Sequence, residues 1–201
     1  MFDRALQGVL RAPLARAATF LVRMRIGADA LSFTGFGLGL AAAASIAFGH
    51  FLTGLALLLL SRLMDGLDGA VARATMPTDR GGFLDITLDF LFYASIPLAF
   101  ALQDPTAHAL PAAVLLASFI GTGSSFLAFA IVAAQRKMSS MEFPDKGFYF
   151  LGGLTEATET LIAFAAMCLW PAWFPQIAYG FAVLCAITTV LRIGWGYRRF
   201  R

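Results

Sequence analysis

The segment from Ser61 to Phe90 reads SRLMDGLDGAVARATMPTDRGGFLDITLDF and contains five aspartates and three arginines. The stretch before it, Ala30–Ser61, contains no Asp, Glu, Lys or Arg. The whole chain has 201 residues, of which 59% are hydrophobic and 13% charged, and its mean hydropathy is +0.77. A soluble domain of this size is nearer half apolar and a quarter charged. The composition therefore indicates an integral membrane protein in which one short region concentrates the acids.

Six stretches of the chain have the character of membrane-spanning helices, which need about 20 mostly apolar residues. We predict these helices at residues 29–49, 52–76, 81–103, 108–135, 147–170 and 174–196. Residues 1–27 carry five arginines that interrupt any signal-peptide core, which is typical of an amphipathic helix on a membrane surface. The predicted fold is all-α: a single domain over residues 1–201, with an interfacial segment at 1–27 and a core of six transmembrane helices at 28–201.

The basic residues are distributed asymmetrically about the six predicted spans. With an even number of spans both termini share one side, and nearly all Lys and Arg residues fall there. The loops on the opposite side, around His50, Asp104 and residues 170–175, have none. The positive-inside rule makes the basic side, with both termini and the acids, cytoplasmic. The net charge of +3 follows from this arrangement, so we expect no nucleic-acid partner. We expect a bacterial inner membrane, which suits a short chain with no targeting segment.

The motif GFGLG at residues 35–39 lies inside the first predicted span. A nucleotide-binding glycine loop follows a strand, and no strand is expected before this motif. We therefore predict that these small residues allow close packing between membrane helices.

The acids of the Ser61–Phe90 segment are spaced so that they can converge. Asp65 and Asp68 are three residues apart near the cytoplasmic end of the second predicted helix, and Asp85 and Asp89 are four apart near the start of the third. Both spacings place a pair on one helix face. Because a sharp turn joins the two helices, the two faces can meet. The sequence therefore predicts four carboxylates at about one depth.

Clustered carboxylates repel one another, which would drive their protonation unless a cation lies between them. Carboxylate oxygens suit a hard divalent ion, so the cluster predicts an Mg²⁺ or Mn²⁺ site. Gly66, Gly69 and Ala72 leave room beside the acids for a large ligand, and Arg73 can reach a phosphate of that ligand. Acids within membrane segments are functional by default, which favours this interpretation. In the alternative, the acids cap helix ends or pair with Arg62, Arg73 and Arg80.

With the intervening residues written as x, these positions read D-x-x-D-G-x-x-A-R, then seven residues, then G-x-x-x-D-x-x-x-D. This pattern resembles the signature of the CDP-alcohol phosphotransferases, also called CDP-alcohol phosphatidyltransferases. All eight fixed positions match: Asp65, Asp68, Gly69, Ala72, Arg73, Gly81, Asp85 and Asp89. The six-helix core of the family also resembles the topology predicted above, so the resemblance covers nearly the whole chain.

The resemblance implies a role for each matching position. Asp65, Asp68 and Asp85 would hold the divalent metals, with Asp89 also near them and counted as a metal-binding residue. Asp89 would be the general base that removes the proton of an acceptor alcohol. The site for the CDP moiety would be lined by Gly69, Ala72, Arg73 and Gly81. The implied reaction transfers a phosphatidyl group from a CDP-linked lipid such as CDP-diacylglycerol to an alcohol and releases CMP.

The motif GADALSFTG at residues 27–35 resembles a segment in which family members often carry Pro-Asn or Pro-Asp followed by Leu-Thr. Here Ala28 replaces the proline and Ser32 stands for the threonine. Asp29 is therefore a candidate contact for the nucleotide. The alternative is that Asp29 is the N-cap of the first predicted helix.

Two further carboxylates, Glu156 and Glu159, lie early in the fifth predicted helix. They would suit a polyol or amine acceptor, and interhelical hydrogen bonding is the alternative. A phosphorylated acceptor would instead suit basic residues: Arg136, Lys146 and Arg192. Glycerol 3-phosphate is the first acceptor that we consider, and inositol phosphate, serine or another alcohol are alternatives.

A divalent-cation membrane transporter is a different functional class that would also place acids within membrane helices. Its acids should follow a permeation path, but here they cluster at one side, and the fourth and sixth predicted helices contain no Asp or Glu. An enzyme is therefore favoured. The expected partners are the CDP-linked lipid, the alcohol acceptor, membrane lipids and, as the resemblance implies, a second copy of the chain in a homodimer.

Overall fold

The computed structural model of the chain describes residues 2–136 and 155–200. Its α-helices are α1 (Phe2–Arg23), α2 (Ala28–Ala47), α3 (Phe51–Ala74), α4 (Asp79–Gln103), α5 (Pro105–Gln135), α6 (Ala157–Leu169) and α7 (Phe174–Arg199). A short 3₁₀ helix, Pro171–Trp173, joins α6 to α7, and no β-strand occurs within the described ranges. The predicted all-α fold is confirmed for these residues.

Four segments of the described chain are long and apolar enough to cross a membrane: α2, α4, α5 and Pro171–Arg199, which contains α7. α3 has 24 residues but carries Arg62, Asp65 and Asp68 within its length. α6 has 13 residues and begins after its N-cap Glu156, so the prediction of one continuous helix over 147–170 is wrong at residues 155–156, where the capping box starts the helix later; residues 147–154 lie outside the described ranges. The four apolar segments are consistent with an integral membrane protein, and the count of six spans stays a prediction.

The loop predicted around Asp104, between the helices at 81–103 and 108–135, is shorter in the structure, because only Asp104 separates α4 from α5. Asp104 Oδ1 accepts hydrogen bonds from the backbone N–H groups of Thr106 and Ala107, both at 3.1 Å. Pro105 occupies the first helical position, where a missing N–H leaves nothing unsatisfied. The prediction that this helix begins at residue 108 is therefore wrong, because the cap and the proline start it earlier.

Aromatic side chains hold α4 against α6 and α7. Phe100 stacks on Phe174 with ring centroids 4.4 Å apart, and Phe92 meets Phe164 edge to face at 6.4 Å. All four rings are buried. Aromatic pairs of this kind contribute about 0.5–1.5 kcal/mol beyond the area that they bury. This packing fixes α4, and with it the acidic side chains near its N-terminal end.

α1 packs along the acid-rich half of α3. Ala18 is completely buried there, and Leu14, Leu67 and Val71 belong to the same apolar cluster. An added Cβ at Gly66 would lie 3.4 Å from Leu14 Cδ1, an ordinary van der Waals distance, so α1 covers this face of α3. The predicted N-terminal helix is confirmed as a helix, and its position at a membrane surface stays a prediction.

The glycines of the GFGLG motif bring α3 and α4 close to α2. An added Cβ at Gly35 would lie 3.1 Å from Met64 Cβ, and one at Gly39 would lie 2.6 Å from Phe92 Cδ2. The second distance is shorter than packed carbon atoms allow. Gly37 lies between them in the sequence and has no such neighbour within 4 Å. The prediction of close packing through small residues is confirmed for Gly35 and Gly39.

Gly39→Ala is expected to destabilise the protein, because the new methyl group would displace the buried Phe92 ring. Overpacking of this kind costs about 1–3 kcal/mol. The measurement is the midpoint of thermal unfolding of the purified protein in detergent. Gly37→Ala is the matched control and should leave the midpoint unchanged or slightly higher, since alanine favours a helix. Equal midpoints for the two variants would contradict this account of the packing.

Candidate functional site

The acid-rich ends of α3 and α4 are positioned chiefly by α2. α2 packs along both helices, whereas α3 and α4 make few backbone contacts with each other. The turn between them ends at Thr78, whose Oγ1 caps α4 by accepting a hydrogen bond from the Gly81 N–H at 3.0 Å. This arrangement leaves a pocket between the three helices, and we call it the acid pocket.

Three of the predicted carboxylates converge in the acid pocket. Oxygen atoms of Asp65, Asp68 and Asp85 all lie within 4.8 Å of one another. Asp68 is buried, Asp65 is partly buried and Asp85 is exposed. Ser32 Oγ donates a hydrogen bond of 2.5 Å to Asp68 Oδ2, which orients this carboxylate from α2. The structure thus brings acids from two helices together, as the spacing predicts.

Asp89, the fourth predicted acid, lines the same pocket but pairs with an arginine. Arg62 Nη1 donates a hydrogen bond of 2.6 Å to Asp89 Oδ1 and lies 3.5 Å from Asp65 Oδ1. The Arg62 side chain is only 14% exposed, and its Cζ lies 3.8 Å from the centroid of the Phe92 ring. Asp89 therefore lies beside the group of three acids, and its carboxylate is paired with the Arg62 guanidinium of α3.

The electrostatics of the acid pocket favour a cation. Its lining consists of Ser32, Gly35, Phe36, Arg62, Asp65, Asp68, Asp85, Leu88 and Asp89. Four carboxylates face one guanidinium, so three negative charges are unbalanced when all groups are ionised. Clustered carboxylate oxygens are the donors that Mg²⁺ and Mn²⁺ prefer. The residues present therefore fit a divalent ion held by Asp65, Asp68 and Asp85.

The residues that the sequence assigns to the nucleotide lie outside the lining of the acid pocket. On α3, Gly69 allows Arg73 to fold back, since an added Cβ would lie 3.1 Å from Arg73 Nη1. Ala72 is partly buried on the same helix. At the start of α4, an added Cβ at Gly81 would lie 3.8 Å from Asp29 Oδ1. Gly81 and Asp29 are thus close neighbours, although they belong to different helices.

Asp29 lies in the first turn of α2, whose N-cap is Gly27. Its Oδ2 forms an ion pair with Arg80, whose Nη2 lies 2.6 Å away. The N-cap alternative for Asp29 is therefore wrong, because the helix begins before it and its carboxylate pairs with α4 instead. The Arg80 side chain is 79% exposed, so the pair contributes little to stability.

Glu156 and Glu159 form a capping box at the start of α6. Glu156 is the N-cap residue, and its backbone N–H donates a hydrogen bond of 3.2 Å to Glu159 Oε2. The two alternatives predicted for these residues, contact with the acceptor and interhelical hydrogen bonding, do not include this local role. The three-residue spacing at a helix start is a sign of a capping box, but Ser or Thr is the usual first residue.

Two of the three basic residues considered for a phosphorylated acceptor connect α5 to α7. Arg192 is buried, and its Nη1 donates a hydrogen bond of 2.7 Å to the Thr122 backbone oxygen. Arg136 Nη2 donates a hydrogen bond of 2.5 Å to the Phe200 backbone oxygen. Lys146 lies outside the described residues.

From the sequence, Arg62 is a candidate only in the alternative to the metal site, as a partner of the acids. In the structure Arg62 pairs with Asp89, while Asp65, Asp68 and Asp85 still form a group that could hold a metal ion. The signal available in the sequence is the three-residue spacing from Arg62 to Asp65, which places both on one face of α3. The stacking of Arg62 on Phe92 has no such signal, because it depends on how α3 and α4 pack on α2.

Comparisons with known proteins agree with the motif. The family model for CDP-alcohol phosphatidyltransferases matches residues 25–191. The chain belongs to this family. It is 48% identical over 197 residues to "Inner membrane protein YnjF" of Escherichia coli (strain K12), covering 98% of this chain and 96% of that protein. It is 51% identical over 70 residues to an archaetidylinositol phosphate synthase of Methanothermobacter thermautotrophicus, covering 34% of this chain and 36% of that protein.

Two crystal structures of the phosphatidylinositol phosphate synthase PgsA1 of Mycobacterium tuberculosis share the fold of this chain. Each is 21% identical to it and superposes with a TM-score of 0.66. The structure with CDP-DAG bound matches 92% of this chain and 93% of that chain. The structure in complex with manganese and citrate matches 92% and 88%, respectively.

Asp68→Asn is expected to remove most of the stabilisation that Mn²⁺ gives to the protein. The substitution deletes one charge from the group of three acids, while the amide oxygen can still accept the hydrogen bond from Ser32. For the wild type, free Mn²⁺ at 100 times Kd should add about 2.7 kcal/mol to the free energy of unfolding. The measurement is the thermal-unfolding midpoint in detergent at increasing MnCl₂ concentration.

Asp79→Asn is the matched control for this measurement. Asp79 lies in the first turn of α4, is exposed, and does not belong to the group of three acids. Its variant should gain as much stability from Mn²⁺ as the wild type does. A full Mn²⁺ response in Asp68→Asn would contradict the metal site.

Proposed function

We propose that the protein is an Mg²⁺- or Mn²⁺-dependent CDP-alcohol phosphatidyltransferase. It transfers a phosphatidyl group from a CDP-linked lipid such as CDP-diacylglycerol to an alcohol in phospholipid biosynthesis. The observation that carries this proposal is the convergence of Asp65, Asp68 and Asp85 within 4.8 Å, with Asp89 in the same pocket. The family match over residues 25–191 supports the same reaction class.

In this proposal Asp65, Asp68 and Asp85 hold the divalent cation, and Asp89, which lines the same pocket, is a further metal-binding residue. When bound, the cation neutralises the diphosphate oxygens of the CDP-linked lipid and stabilises the CMP leaving group. Carboxylate oxygens accept both Mg²⁺ and Mn²⁺. The manganese in one PgsA1 structure makes Mn²⁺ the first ion to test.

Asp89 is the proposed general base. Arg62 occupies its Oδ1, whereas Oδ2 has no hydrogen-bond partner among residues 2–136 and 155–200. As the hydroxyl oxygen of the acceptor forms a bond to the β-phosphorus, the bond from that phosphorus to the CMP oxygen breaks. CMP leaves with the electron pair, and the hydroxyl proton passes to Asp89. A positioned base of this kind accelerates a reaction by about 10²–10⁴-fold.

Five residues beside the acid pocket would bind the CDP moiety: Asp29, Gly69, Ala72, Arg73 and Gly81. The two glycines let a ligand approach the backbone of α3 and α4. Arg73 is exposed, and its guanidinium can bind a phosphate through two parallel hydrogen bonds. The CDP-DAG in the other PgsA1 structure supports a CDP-linked lipid as the donor.

The acceptor is an alcohol, and the comparisons favour one of the candidates. The names of an archaetidylinositol phosphate synthase and of a phosphatidylinositol phosphate synthase support inositol phosphate. Glycerol 3-phosphate, the first candidate from the sequence, has no matching relative among these proteins. Serine and other alcohols complete the set to be tested.

The proposed setting is a bacterial inner membrane, which the name of the Escherichia coli relative supports. We propose six spans, in which α3 and the segment that ends with α6 join the four apolar segments. By the positive-inside rule, both termini and the acid pocket would then lie on the cytoplasmic side of the membrane. A homodimer is proposed from the family resemblance.

A divalent-cation transporter is the alternative of another class. The acids of α3 and α4 would then belong to a permeation path. Membership of the CDP-alcohol phosphatidyltransferase family does not support this alternative. The two functions differ in their response to CMP, which the enzyme run in reverse would consume and a transporter would ignore.

The purified protein in liposomes with CDP-diacylglycerol and Mn²⁺ should release CMP with one alcohol of a panel. The panel contains inositol phosphate, glycerol 3-phosphate and serine, each added alone, and CMP is measured by chromatography. Asp89→Asn should lower the rate at least about 100-fold, because the hydroxyl proton then has no base.

Asp104→Asn is the control for this assay, since Asp104 caps α5 at the other end of α4. It should retain the rate of the wild type. A rate for Asp89→Asn that equals the wild-type rate would contradict the role of Asp89. If folded protein that binds Mn²⁺ releases CMP with none of the alcohols, the proposal that the acceptor is one of them is contradicted.

A further inference from the structure

The side of α1 that faces away from α3 carries exposed apolar and exposed basic side chains together. Phe20 and Met24 lie one helical turn apart and are 63% and 57% exposed. Arg16 and Arg23 are exposed beside them. The helical spacing places these four side chains opposite Ala18, which is completely buried against α3. We call the surface formed by Arg16, Phe20, Arg23 and Met24 the open face of α1.

Arg25 follows α1 in a conformation that arginine rarely adopts. Its φ is +60°, and it is the only non-glycine residue with a positive φ within residues 2–136 and 155–200. Its backbone N–H donates to the Val22 oxygen at 2.9 Å, and the Ile26 N–H donates to the Leu21 oxygen at 3.0 Å. These two bonds form a Schellman motif, in which glycine is the usual residue at the left-handed position. Because glycine would avoid the steric cost of a side chain there, the arginine does not serve the end of the helix.

The charge of this region has one sign. Residues 4–28 contain five arginines and no Asp or Glu, and Arg25 is exposed like Arg16 and Arg23. Exposed apolar side chains next to arginines are typical of a helix that lies between the headgroups and the acyl chains of a membrane. The positive-inside rule puts α1 on the cytoplasmic side, where anionic lipids attract basic residues. The partner that complements the open face in charge and polarity is therefore an anionic lipid surface.

We propose that the open face of α1, together with Arg25, binds the headgroups of anionic phospholipids in the cytoplasmic leaflet. Phe20 and Met24 enter the boundary with the acyl chains, while the three guanidinium groups bind lipid phosphates through charge-assisted hydrogen bonds. The opposite side of α1 packs on the acid-rich half of α3. Anionic lipid therefore holds α1 against α3. This proposal goes beyond the function proposed above, because it concerns a surface outside the acid pocket.

Hydrogen exchange of the full-length protein tests the proposal in nanodiscs of phosphatidylcholine, with or without added phosphatidylglycerol. The backbone amides of residues 14–24 should exchange at least about fivefold more slowly with phosphatidylglycerol, which is the gain from one arginine near an anionic membrane surface. A high concentration of NaCl should remove most of this difference, since it screens exposed charges. Inorganic phosphate added to phosphatidylcholine nanodiscs should not reproduce the slowing, because it offers no surface to Phe20 and Met24.

The double variant Arg16→Gln/Arg23→Gln should lose most of the slowing that phosphatidylglycerol causes. The matched control is the double variant Arg198→Gln/Arg199→Gln, which removes the same charge from the last turn of α7. Exchange of α1 in this control should respond to phosphatidylglycerol as it does in the wild type. The comparison separates a lipid-binding surface on α1 from an effect of the net charge of the protein.

Arg25→Gly separates lipid binding from folding. In phosphatidylcholine nanodiscs its thermal-unfolding midpoint should equal or exceed that of the wild type, because glycine adopts a φ of +60° without steric cost. The slowing of α1 exchange by phosphatidylglycerol should nevertheless be smaller than in the wild type. An arginine needed only for the fold would give the reverse, a lower midpoint and an unchanged response to the lipid.

Equal exchange of α1 in the two lipid compositions, or a full response in Arg16→Gln/Arg23→Gln, would overturn the proposal. Slowing that follows the number of protein copies in each nanodisc instead of phosphatidylglycerol would also overturn it, and would assign the open face to a second copy of the chain. The measurement needs no substrate. Its outcome is therefore independent of whether the protein releases CMP.

Discussion

Mutual repulsion among the four aspartates that line the acid pocket is the physical constraint on which the site depends. These carboxylates line one pocket in a chain that is otherwise strongly apolar. Charges of one sign at this distance raise the free energy of the folded state unless something of opposite sign intervenes. Arg62 supplies one such charge, and Ser32 supplies a hydrogen bond to Asp68. A divalent cation would remove two of the three remaining negative charges, and the binding of a metal is therefore linked to the stability of the fold.

Packing against α2 determines where the charged side chains of α3 and α4 lie. Although α2 contributes no acid to the pocket, it packs on both acidic helices. Gly35 and Gly39 allow the close approach, Ser32 orients a carboxylate, and Phe92 supports the guanidinium. The glycines are needed because a methyl group at position 39 would overlap the Phe92 ring. The same contacts therefore pack the helices together and position the carboxylates and the guanidinium of the site.

The sequence predicts those parts of the structure that depend on local spacing. The convergence of Asp65, Asp68 and Asp85 follows from helix periodicity and a turn, and the structure confirms it. The early start of α5 also has a local cause, an aspartate cap before a proline, which the loop prediction missed. The pairs Arg62–Asp89 and Asp29–Arg80 join residues 27 and 51 positions apart and depend on how the helices pack. No spacing along the chain encodes such contacts, so the separate position of Asp89 appears only in the folded protein.

The most direct test of the divalent-cation site is anomalous X-ray diffraction from crystals of the protein grown with MnCl₂. The account predicts an Mn²⁺ peak between α3 and α4, bound by oxygen atoms of Asp65, Asp68 and Asp85. The absence of a peak at this position under saturating Mn²⁺, or a peak bound by other residues, would contradict it.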